Sequence, residues 1–90
     1  MATEVKEKGK KSEVGVLYNG VTREFHLVGA QKVEHLLREA IRVFGIVDNQ
    51  HLLSLYDDAG VELADDDRLK DAGVENHELL VLRPGVVKGG

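Results

Sequence analysis

Ninety residues, 42% hydrophobic and 31% charged with a formal net charge of −4, describe one small globular domain with a modest core. The absence of cysteine excludes a disulfide scaffold, a thiolate metal site and a cysteine nucleophile. The acidic balance argues against nucleic acid, and no apolar run approaches the ~18 residues a membrane span needs. The expectation is a cytoplasmic monomer with no leader peptide and no membrane contact.

Residues 1–13 alternate charges and carry almost no apolar side chains, so they read as a disordered, solubilising arm. Lys6, Lys8, Lys10 and Lys11 are diluted as a basic anchor by Glu4, Glu7 and Glu13. Residues 14–28 hold the clearest local signal. Asn19-Gly20 stands between two β-rich runs and suits a type I′ turn. Pairing Tyr18 with Val21 sets Val16 opposite Arg23 and Val14 opposite Phe25. Val14, Val16, Phe25 and Leu27 then share the buried face, and Gly15, Thr22, Glu24 and His26 the wetter one.

Residues 31–45 change period. Val33, Leu36, Leu37, Ala40, Ile41 and Phe44 form one helical stripe, and Gly45 is placed to end the helix. This is more apolar surface than one helix face needs, so Leu37 and Ile41 are expected to stay exposed as a partner surface. A strand is expected from His51, then a turn at 57–60 and a short strand ending at Leu63. The aspartates of "ADDDRLKDAGV" suit the start of a short helical turn that Gly73 can close. "HELLVLR" is nearly continuous in its apolar residues, as for a central strand, and Pro84 marks its end.

The fold class expected is therefore α+β: a mixed sheet of four or five strands with one main helix packed on it. The domain spans 14–83 and a flexible tail spans 84–90. The four aromatics, Tyr18, Phe25, Phe44 and Tyr56, are dispersed and offer no base-stacking platform. The four histidines show no ligand spacing, and the aspartates at 57–58 and 65–67 lack the calcium-loop pattern. No nucleophile triad or phosphate loop is visible. The expectation is a protein that is not an enzyme and holds no metal or cofactor.

The order of these elements, with the ending "RPGVVKGG", resembles the ubiquitin family and its β-grasp fold. The most specific stretch is "GVELADDDRLKDAGV" followed by "LLVLR" and Gly-Gly: Gly60, Leu63, the acidic residues 65–67, Leu69 and Val74 match the family's arrangement. The resemblance is nearest to the bacterial ubiquitin-like modifiers of conjugation operons. It implies activation of the terminal glycine by an ATP-consuming activating enzyme, then transfer through a conjugating enzyme to target proteins, with a deconjugating protease to reverse it. ATP is then the enzyme's cofactor and not this chain's.

On this reading Gly90 is the acyl donor and Gly89 its slim neighbour, both without a Cβ to block a narrow channel. Seven extended residues from Pro84 reach at most about 23–25 Å. Arg83 and Lys88 are candidates for ionic contacts, and Val86 and Val87 for apolar contacts, with the activating machinery. Ubiquitin's main apolar patch centres on an isoleucine of the third strand. The matching position here is Ser54, between Leu53 and Leu55, so the candidate partner surface is Leu53, Ser54 and Val81, with Leu37 and Ile41. Lysines are sparse in the body, only Lys32 and Lys70. Two alternatives stay open: a sulfur carrier whose terminus becomes a thiocarboxylate, and a ubiquitin-like docking module without terminal chemistry.

Overall fold

The computed structural model describes residues 12–85. The expectations for the arm before Ser12 and for the tail beyond Gly85 lie outside the described residues. The described residues open with a hairpin, β1 (Glu13–Tyr18) and β2 (Val21–His26). Asn19 and Gly20 both take positive φ, 52° and 81°, as a type I′ turn requires. The register is the one the turn predicts: Tyr18 faces Val21, Val16 faces Arg23 and Val14 faces Phe25. Val14, Val16 and Phe25 are buried, while Leu27, just beyond β2, is half-buried. As an edge strand β2 exposes everything else, including Arg23.

The helix α1 runs Val33–Phe44, two residues later than the periodicity suggests. The main chain at Gln31 and Lys32 is committed elsewhere: Gln31 C=O accepts the Leu69 N–H at 2.8 Å, and Lys32 bridges Arg68. The C-terminus closes as expected. Gly45 is left-handed, its N–H donating to Arg42 C=O while the Ile46 N–H donates to Ile41 C=O. Leu37 and Ile41 do not stay exposed; they keep only 7% and 9% of their surface. The core meets α1 on two flanks: the sheet below, and beside it the chain that follows the helix.

That chain begins with a 3₁₀ turn, Gln50–Leu52, where the sequence suggested strand. Gln50 Nε2 donates back to Ile46 C=O at 2.7 Å and Asn49 is left-handed, so the chain coils once before extending. Strand β3 then covers only Leu53–Tyr56. The expected short strand at Leu63 is reduced to a single bridge, Tyr56 with Glu62, plus the Leu63 N–H on Leu55 C=O. The intervening turn is held by Asp57, whose Oδ1 accepts from the Ala59 and Val61 amides, both at 2.9 Å.

The acidic segment contributes more by its main chain than by its charge. Asp67 C=O accepts the Val33 N–H at 2.8 Å and Asp65 C=O accepts the Glu34 N–H at 3.1 Å. These are the open amides at the start of α1, whose N-cap Lys32 makes no side-chain cap. One helical turn follows and ends on Gly73 (φ 82°), with the Gly73 N–H on Lys70 C=O and the Val74 N–H on Leu69 C=O. Leu63, Leu69 and Val74 seal the core from this side.

Strand β4 (Leu79–Pro84) closes the fold as a central strand, parallel to β1 and antiparallel to β3. The sheet order is β2-β1-β4-β3. Leu80 and Leu82 point to the helix side and are buried at 0% and 2% exposure, which explains why this run is so apolar.

Candidate functional site: the outer sheet face and the root of the tail

Alternation along the strands divides the candidate partner residues between two surfaces. Leu82 faces α1, so Leu79, Val81 and Arg83 face outward. Across the sheet, Val81 lies beside Leu17 of β1 and Tyr56 of β3, and Leu17 lies beside Thr22 of β2. Ser54 faces Arg83 on the same side. Leu53 goes the other way. With Leu37, Ile41, Gln50, His51 and Asp65 it lines a shallow groove along the flank of α1. The sequence reading therefore grouped together residues that lie on opposite sides of one sheet. Ser54 and Val81 share the outer face; Leu53, Leu37 and Ile41 share the groove.

Ser54 does not sit in the open. The chain past β4 continues alongside β3 in the same antiparallel register. The Arg83 guanidinium stacks on the Tyr56 ring, its carbon 3.8 Å from the ring centroid. The Tyr56 hydroxyl donates to Pro84 C=O at 3.2 Å, and the Gly85 N–H donates to Leu52 C=O at 2.8 Å. Gly85 lies so close to β3 that a Cβ there would stand 2.5 Å from Ser54 Oγ and 2.8 Å from Glu62 Oε2. Tyr56 keeps only 4% of its surface as a result. The outer face thus has two parts. Leu17, Leu79 and Val81 are at least partly open to solvent; Tyr56 lies under the Arg83 guanidinium and half-buried Ser54 lies beside Gly85.

Tyr56 was missed as a site residue. Its spacing of two from Ser54 on one strand was the signal available, since it places both on one face. Arg83 is exposed, as an ionic contact residue should be, but it is engaged with Tyr56. Val86, Val87, Lys88, Gly89 and Gly90 lie outside the described residues. Among the described residues no three His, Asp or Glu side chains converge as a metal would need, and no helix is long and apolar enough to cross a membrane.

No protein-family model matches the sequence, and no curated protein matches it. Solved structures do. The ubiquitin of Caldiarchaeum subterraneum superposes with a TM-score of 0.71 at 17% identity, covering 88% of this chain and 99% of that one. The ubiquitin-like domain of an Arabidopsis thaliana protein gives 0.70 at 19% identity, covering 94% and 88%. Protomer 1 of the ESX-3 core complex gives 0.68 at 26% identity; the match covers 89% of this chain and 17% of that one. With its mixed four-stranded sheet, single long helix and 3₁₀ turn, the chain has the ubiquitin-like β-grasp fold.

Proposed function

We propose that this chain is a ubiquitin-like protein modifier, of the kind bacterial conjugation operons encode, whose Gly90 carboxyl is joined to target proteins. The observation that carries the reading is the direction of β4. A central strand held by neighbours on both sides ends at Pro84, and Gly90 is only five residues past Gly85. A rigid body with a diglycine this near its edge suits delivery of an acyl group into another protein's active site.

The chemistry needs no catalytic group from this chain. Once Gly90 carries a free carboxylate, by translation or by cleavage behind it, that carboxylate attacks the α-phosphorus of ATP in the activating enzyme and pyrophosphate leaves. An enzyme thiolate then attacks the acyl carbon and AMP leaves. A target amine finally displaces the thiol, forming an amide. Gly89 and Gly90 leave the acyl carbon unshielded, and Val81, Leu17 and Leu79 offer the body's apolar contact. In cells of the source organism, N-terminally tagged protein is expected to yield higher-mass adducts that survive detergent and thiol. Deletion of Gly90 is expected to abolish them; adducts that persist without Gly90 would overturn the reading. Intact mass separates the sulfur-carrier alternative, because a thiocarboxylate replaces oxygen with sulfur.

A second reading has its own support. The ESX-3 protomer is far longer than this chain, and the likeness covers a small part of it. A ubiquitin-like unit of that sort would dock through its outer face with no terminal chemistry. It predicts that substitution of Val81 abolishes partner capture while truncation at Gly85 leaves it intact.

A further inference from the structure

The β3–β4 ladder runs one residue past Pro84, and side chains of β3 add contacts to the root of the tail. Four contacts converge within three residues. Arg83 lies on the Tyr56 ring, Pro84 C=O accepts from the Tyr56 hydroxyl, Gly85 N–H reaches Leu52 C=O, and Ser54 and Glu62 occupy the space a Cβ at 85 would need. Three of these partners come from β3 or the turn before it, and Glu62 from the bridge beside Tyr56. None of these four residues belongs to the hydrophobic cluster on the helix side of the sheet.

We propose that Tyr56, Ser54 and Gly85 form a latch that fixes the root of the tail on β3 and so sets the direction and length in which Gly90 is presented. Tyr56 and Ser54 are positioning residues: they touch the tail and not the reacting carbonyl. Counted from Gly85, the reach is five residues, at most about 16–18 Å, and not the longer span counted from Pro84. Gly85 is the residue on which the latch depends, because any side chain there meets Ser54 Oγ at 2.5 Å. A larger residue at 54 would push the tail root off the strand.

The consequence for conjugation rests on the modifier reading; the latch itself is measured without any enzyme. Amide exchange and ¹⁵N relaxation on the full chain read it directly. In the wild-type protein the amide at 85 is expected to be protected. G85A should raise exchange there by about ten-fold, the loss of one hydrogen bond with its packing. Y56F should raise it by about three-fold, because only the contact to Pro84 is lost. G85A combined with S54A should recover only part of the protection, because the 2.5 Å contact to Ser54 Oγ is gone while that to Glu62 Oε2 at 2.8 Å remains. The Val14 and Leu80 amides report the sheet and should not change in any of these variants. An amide at 85 that exchanges as in an unstructured peptide, or that ignores G85A, overturns the latch. Loss of adducts on deleting Gly90 is a separate result, so the two readings fail independently.

Discussion

Residues 13–26 and residues 57–78 each contribute to the core, but they are held in opposite ways. The hairpin closes on itself: a two-residue turn sets its register, and the pairing runs outward from Tyr18–Val21 to Glu13–His26. The second stretch contains no strand or helix of its own, yet it delivers Leu63, Leu69 and Val74 to the core. It also supplies the two carbonyls that satisfy the first amides of α1. A locally closed element tolerates damage nearby. A segment whose local turns are joined to the rest of the fold through distant partners passes damage on to whatever it supports.

Leu69→Ala puts the largest load on that contrast. Leu69 is fully buried, so truncation should cost about 3–4 kcal/mol, read as a shift of the denaturation midpoint at unchanged slope. The change should also free the Val33 and Glu34 amides, since Leu69 sits next to the chain that holds them. A cost below about 1 kcal/mol would mean that the stretch 57–78 covers the core without belonging to it.

The left-handed glycines sharpen the comparison at smaller scale. Gly20 and Gly73 both have φ near +80° and open space where a Cβ would go, so alanine meets backbone strain and no clash. Each substitution should cost about 1–2 kcal/mol. The two should differ in where the cost appears. Gly20→Ala should loosen only the hairpin end, seen as faster exchange at the Val21 amide. Gly73→Ala should reach α1, through the Leu69 turn that Gly73 closes. Equal and local effects from both would abolish the distinction.

The same contrast governs what could be read from sequence. The hairpin register, the helix stripe and the central place of "LLVLR" were legible because each depends on local periodicity or on a turn two residues long. The 3₁₀ turn at Gln50–Leu52 was not, because "HLLSLY" is equally apolar whether it coils or extends. Leu37 and Ile41 were misjudged for a related reason. Their burial depends on chain that packs beside α1 after it ends, and nothing in residues 31–45 signals a second flank. At the candidate site, Ser54 and Val81 could be placed on one face by alternation. That Gly85 lies against Ser54 could not, since it arises from the antiparallel pairing of β3 with β4 about thirty positions away.

The smallest expected effect tests whether charge has any part in holding the distant stretch. Glu34 accepts from Arg38 Nη2 at 2.6 Å, an i,i+4 pair on α1 whose side chains stay 38% and 76% exposed. An exposed pair of this kind contributes about 0.3–0.5 kcal/mol and weakens with salt. Yet the main-chain N–H of the same residue is the one that Asp65 C=O receives. Glu34→Gln leaves that amide in place and removes only the side-chain charge. A loss within about 0.5 kcal/mol, shrinking at high salt, would show that the stretch 57–78 is held at α1 by its carbonyls and its buried leucines. A loss several times larger would mean that the side chain also anchors it. The start of α1 would then depend on electrostatics, and its stability would follow ionic strength while that of the hairpin did not.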